Sequence, residues 1–124
     1  MVKGNIRAVT ASTRSVRKAL KDRTLNMQRD QVIAALRAHE PEFRDAGIGR
    51  LYVFGSVARD QASGDSDIDL FIDLDRPRGF TLFSLAALRD RLEDILGSKV
   101  DLMTRGAIHP RRRPRIEAQA IQVF

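Results

Sequence analysis

Phe54-Gly55-Ser56-Val57-Ala58-Arg59-Asp60-Gln61-Ala62-Ser63-Gly64-Asp65-Ser66-Asp67-Ile68-Asp69-Leu70 is the stretch on which the fold turns. It continues as Phe71-Ile72-Asp73-Leu74, so from Asp67 to Leu74 aliphatic residues alternate with carboxylates and one aromatic. Period two marks a strand with two unlike faces. Ile68, Leu70, Ile72 and Leu74 are expected to enter a core, with Asp67, Asp69, Phe71 and Asp73 on the opposite face. Two carboxylates at i and i+2 on one face repel when both ionise, and a bound cation relieves the repulsion. Carboxylates and water are the ligand set of Mg2+ or Mn2+. A solvated strand face accounts for one aspartate just as well, so the pair gains its meaning from its neighbours.

The residues just upstream supply that meaning. Leu51-Tyr52-Val53-Phe54 reads as a short strand, and Gly55-Ser56 ends it. A glycine there lets the backbone approach a large anion, and the following N–H groups with the Ser56 hydroxyl can cradle phosphate oxygens. Ten residues separate Ser56 from Asp67, enough for a loop or short helix that returns and brings cradle and carboxylates together. A third carboxylate, Asp101, interrupts the apolar strand pattern Val100-Asp101-Leu102-Met103, where an unpaired buried charge is costly. On a neighbouring strand it could face Asp67 and Asp69; pointing outward at a sheet edge is the alternative.

Further from the motif, Arg29 to His39 shows helical spacing, and Pro41 ends that helix or kinks it before a turn through Phe43. Gly47 and Gly49 read as its stop. Arg76-Pro77-Arg78-Gly79 is a turn, and Thr81 to Leu96 is a helix with Leu85, Leu88, Leu92 and Ile95 on one face and Gly97 as stop. Lys99 to Met103 forms a third strand. Arg111, Arg112, Arg113 and Arg115 surround Pro110 and Pro114 in a basic connector, before a helical turn at Ile116 to Ala120 and a strand at Ile121 to Phe124. Strands alternating with helices in a chain of this size give an α/β fold, a sheet covered by helices.

The chain has 124 residues, 43% hydrophobic and 31% charged, which suits one modest globular domain. It has no cysteine, which excludes disulfides, thiolate zinc sites and a cysteine nucleophile. No apolar run approaches the roughly 18 residues of a membrane helix. The net charge of +6 resides in residues 1–24, where Lys3, Arg7, Arg14, Arg17, Lys18, Lys21 and Arg23 face a single acid, Asp22; the remainder is balanced. The high pI therefore says little about what the domain binds. Residues 1–26 are expected to be a basic, disordered leader and residues 27–124 the domain. Met27 as the true start, an organellar transit peptide and a DNA-binding arm are other readings of the leader.

Phe54-Gly55-Ser56, ten residues and Asp67-Ile68-Asp69-Leu70 together resemble the signature of the DNA polymerase beta-like nucleotidyltransferases. Gly55-Ser56-Val57-Ala58-Arg59 with Ser66-Asp67-Ile68-Asp69-Leu70 and Lys99-Val100-Asp101-Leu102 resembles, more narrowly, the minimal nucleotidyltransferase family. The resemblance spans about residues 27–124 and implies a small mixed sheet flanked by helices. It implies that Asp67, Asp69 and Asp101 hold two Mg2+ ions (Mn2+ being an alternative), and that Gly55 and Ser56 grip the triphosphate of ATP. It further implies that Asp101 assists deprotonation of the acceptor hydroxyl, with Arg59 and Ser66 as phosphate-side helpers. One departure stands out: relatives of this kind usually carry glycine where this chain has Asp60.

The resemblance implies an antitoxin that adenylylates a tyrosine of a HEPN toxin encoded nearby. A short chain without an evident second domain fits a protein acceptor supplied in trans, in the cytoplasm. A non-catalytic module that masks its partner by contact alone, with Asp60 as the mark of a degraded site, is the competing reading. Nucleic-acid binding through Arg111, Arg112, Arg113 and Arg115 ranks below both, because no aromatic stacking platform accompanies the arginines.

Overall fold

The computed structural model describes residues 29–61 and 67–124. The expected leader (1–26) and Ser66 lie outside the described residues. In chain order the elements are α1 (Arg29–Ala38), α2 (Glu40–Asp45), β1 (Ile48–Phe54), α3 (Gly55–Ala58), β2 (Ile68–Leu74), α4 (Leu82–Leu96), β3 (Val100–Thr104), a 3-10 turn (Arg105–Ala107), α5 (Arg113–Gln119) and β4 (Ile121–Gln122). The strands form one mixed sheet in the order β3-β2-β1-β4. β1 is antiparallel to β2 and β4, and β2 is parallel to β3. The expected α/β architecture, a small mixed sheet flanked by helices, is therefore the one observed.

Alternation along β2 divides the sheet as anticipated. Ile68, Leu70 and Ile72 are buried on one face with Leu51 and Val53 of β1, Val100 and Leu102 of β3, and Val32, Leu36, Leu88, Leu92 and Leu96 of α1 and α4. Removing this apolar surface from water is the main stabilising term, at about 25 cal/mol per Å2. α4 is delimited by its own sequence: Thr81 and Ser84 form a reciprocal capping box at its start, and Gly97 closes it in the left-handed conformation. Arg91 of α4 binds both carboxylate oxygens of Glu42, at 2.7 and 3.0 Å, which ties α2 to α4.

As expected at Pro41, α1 ends at Ala38 and a short second helix, α2, carries Phe43, with Pro41 in its first turn, where its missing N–H is no loss. Two expectations need correction. Gly49 is no helix stop but lies inside β1, which begins at Ile48, three residues before the expected Leu51. A register shift between Ile48 and Arg50 inserts one residue there, so Ile48 stays on the core face although it is out of step with Leu51 and Val53. A Cβ at Gly49 would collide with the Asp75 carboxylate, whose Cγ would be 2.8 Å away. The basic connector is helical in its second half: α5 starts at Arg113, with Pro114 in its first turn, and Arg113 donates to the carbonyls of Gly106 and Ile108. The second face of the sheet is covered as well. Phe54, Phe71 and Ile108 are buried there, with Tyr52, Met103, Ile116 and Ala120 packed against them.

Candidate active site

The second face reads as three rows running across the strands. Phe54, Asp69 and Asp101 are Cα partners in the first row, Tyr52, Phe71 and Met103 in the second, and Arg50 pairs with Asp73 in the third. In a sheet, directly paired residues project to the same side. Asp69 and Asp101 therefore face each other across the β2–β3 pair. The alternative left open for Asp101, an outward orientation away from the other two, is not what the register gives.

Asp69 is half-buried, and its pKa is pushed up from the ordinary aspartate range to about 6. Burial contributes most, followed by the charges of Asp101 and Asp67, while Arg59 pulls in the opposite direction. Asp67, exposed, immediately precedes β2, and Asp101 is exposed on β3. Two strands and the residue entering one of them thus bring Asp101 into electrostatic contact with the Asp67–Asp69 pair, more than thirty residues away in sequence.

Gly55 makes that convergence sterically possible. It follows β1 directly with φ +71°, a left-handed conformation, and opens the short helix α3. A Cβ on Gly55 would collide with Asp69 Oδ2 and would stand 3.1 Å from its Cγ. The backbone of the strand-ending turn therefore lies directly against the Asp69 carboxylate, with the half-buried Ser56 next along. α3 closes with Arg59 N–H donating to Gly55 O at 3.1 Å, Asp60 N–H to Val57 O at 2.9 Å and Gln61 N–H to Ser56 O at 2.8 Å.

Asp60 completes this turn at φ +59°. Glycine takes that conformation freely, and aspartate is among the few other residues that visit it. The departure at this position thus has a backbone explanation, with the carboxylate exposed to solvent.

Residues 35–123 match the family described as nucleotidyltransferase domain. The chain belongs to the nucleotidyltransferase family. A candidate protein adenylyltransferase of Methanocaldococcus jannaschii is 38% identical over 78 residues, 63% of this chain and 82% of that one. A solved candidate minimal nucleotidyltransferase superposes with a TM-score of 0.66 at 36% identity, covering 77% of this chain and 95% of the other. A crystallised toxin–antitoxin with AMP-PNP shares the fold at TM-score 0.58 and 21% identity, over 79% of this chain and 73% of that one. Among the described residues, no helix of this nucleotidyltransferase is long and apolar enough to cross a membrane.

For a metal, the chemistry of the donor set fits: Asp67, Asp69 and Asp101 offer only hard carboxylate oxygens, suited to Mg2+ or Mn2+. Among the described residues no three acidic or histidine side chains are drawn in to the spacing of a formed metal site.

The nucleotidyltransferase fold also holds polar residues that the sequence pattern did not single out. Asp73, which alternation puts on the same face as Asp69, is bound by Arg105 through Nε and Nη2, both at 2.8 Å. Arg105 also reaches Glu117 of α5 and lies over the rings of Tyr52 and Phe71, 4.9 Å from each centroid. No local pattern announces this cluster, because its members come from β1, β2, the 3-10 turn and α5.

The bridge makes a pH prediction. Hydrogen bonding to Arg105, opposed by burial, lowers the Asp73 pKa below its ordinary value of about 4. A lowered folded-state value means the bridge stabilises the fold above about pH 4 and is lost as pH falls through the folded value. Asp73→Asn is expected to cost about 1–3 kcal/mol at pH 7 and to flatten the fall in stability below pH 4. Urea midpoints measured from pH 7 to pH 3 check this; an unchanged acid slope overturns it.

Proposed function

We propose that this nucleotidyltransferase transfers AMP from ATP to a hydroxyl of a partner protein, a tyrosine of a HEPN-family toxin encoded nearby, and so serves as a cytoplasmic antitoxin. The observation that carries the reading is the in-register pairing of Asp69 with Asp101 beside the left-handed Gly55. The similarity to a candidate protein adenylyltransferase supports the reaction class. The shared fold of a toxin–antitoxin crystallised with AMP-PNP supports the nucleotide and the kind of partner.

In this reading Asp67, Asp69 and Asp101 would hold the divalent ions, Mg2+ or Mn2+. When bound, these supply charge neutralisation on the phosphates and on the leaving pyrophosphate. Gly55 admits the triphosphate close to the backbone, and the Ser56 hydroxyl hydrogen-bonds a phosphate oxygen. Arg59, with Ser66 from outside the described residues, adds donors on the phosphate side. The acceptor oxygen forms a bond to the α-phosphorus as the bond to pyrophosphate breaks. Asp101, exposed on β3, takes the hydroxyl proton and passes it to water. The products are an adenylylated hydroxyl and pyrophosphate, and positioning supplies most of the acceleration.

The test is incubation of the purified chain with ATP labelled on the α-phosphate, MgCl2 and the HEPN-fold product of the adjacent gene. Label is expected on the partner, and EDTA is expected to prevent it. An unlabelled partner in the presence of Mg2+ and ATP overturns the reading. The competing reading, masking by contact alone, drew on Asp60, and the positive φ at that residue leaves it without a specific observation in its favour.

A further inference from the structure

α5 contacts both the Arg105–Asp73 pair and Arg59 beside the candidate site. Its anchor is Arg105, which grips Asp73 of β2 with two nitrogens while contacting Glu117 of α5. Two residues beyond Glu117, Gln119 Oε1 accepts from Arg59 Nη1 at 3.3 Å. Gln61 Oε1 accepts from Arg59 Nε at 3.1 Å. Arg59 is thus held at two points of its fork by amide oxygens, and among the described residues it makes no ion pair with a carboxylate.

That choice of acceptor matters physically. A carboxylate would hold a guanidinium more strongly but would neutralise it, whereas an amide oxygen fixes the direction of the fork and leaves the charge available to an anion. Sixty residues separate Arg59 from Gln119, so the contact exists only because α5 packs against α3.

We propose that Gln119 is a positioning residue for nucleotide transfer: it aims Arg59 at the triphosphate, and the bridge from Asp73 through Arg105 to Glu117 sets the placement of the helix that carries it. This rests on the function proposed above. The side chain of Gln119 acts through Arg59 and touches neither nucleotide nor acceptor.

The experiment measures AMP transfer to the partner at varied ATP concentration for wild type, Gln119→Ala, Gln119→Glu, Arg59→Ala and the double variant Arg59→Ala/Gln119→Ala. Gln119→Ala is expected to raise the KM for ATP roughly three- to tenfold with kcat and melting temperature nearly unchanged, the scale of one lost hydrogen bond. Gln119→Glu is expected to raise KM at least as much although the contact is kept, because the charge of Arg59 is then cancelled. In the Arg59→Ala background Gln119→Ala is expected to add nothing. An unchanged KM in Gln119→Ala, or an equal penalty with and without Arg59, overturns the proposal while leaving the function intact. A wild type that neither binds Mg·ATP nor transfers AMP overturns the function and this inference with it.

Discussion

Asp69→Asn is expected to lower AMP transfer by at least about a hundredfold and, in the same protein, to raise the melting temperature in the absence of metal. The loss follows from the proposed role. An amide is a weaker, neutral ligand, and removal of a residue that merely orients a metal ligand already costs 10- to 100-fold (roughly). The gain follows from position. Asp69 is half-buried, faces Asp101 in register and has a pKa raised to about 6. For an acid, a raised folded-state value means that the ionised form costs stability above that pH, and the penalty fades as pH falls towards the unfolded value. Discounted for partial exposure, the relief is on the order of 1 kcal/mol at pH 7.5. Scanning fluorimetry in EDTA and the labelled-ATP assay read the two effects. A variant that keeps full transfer sinks the role of Asp69, and one that melts lower than wild type sinks the claim that this charge opposes folding.

Gly55→Ala is the second large effect. A residue with a side chain held at φ +71° carries a backbone penalty of about 1–2 kcal/mol. The new methyl would also meet the Asp69 carboxylate, so either the turn or that side chain must move. The expected result is a loss of about 2 kcal/mol or more in urea denaturation, together with a fall in transfer of at least about tenfold at temperatures where the variant remains folded. Gly79→Ala is the control. Gly79 also has a positive φ, +87°, yet a Cβ there meets nothing within 4 Å. It should show the backbone penalty alone and keep its activity. Equal losses of activity in the two variants would mean that the Gly55 contact with Asp69 is irrelevant to the chemistry.

Much of this site is legible in sequence for a simple reason. Alternation along Asp67 to Leu74 is a local property, so the separation of Ile68, Leu70 and Ile72 from Asp69, Phe71 and Asp73 needs no knowledge of neighbours. The same rule fails at β1. The extra residue at Gly49 reverses the parity of Ile48, so a reader of alternation starts the strand too late. The α5 segment fails differently: its arginines and prolines read as a connector, and the helix is stabilised by packing of Ile116 and Ala120 on the second face of the sheet. At Asp60 a one-letter comparison shows a change of charge but not the positive φ of +59°, which glycine adopts freely.

Sequence alone determined the division of β2 into two faces, the strand–glycine–serine turn and the two aspartates spaced for one face, because these depend on contacts within a few residues. The orientation of Asp101 was open in the sequence, and the parallel pairing of β2 with β3 set it opposite Asp69. Tertiary structure alone decided the Arg105 bridge and the hold of Gln119 on Arg59. Both join residues more than thirty positions apart, and such contacts depend on how α5 packs against the sheet and α3, which no local pattern encodes.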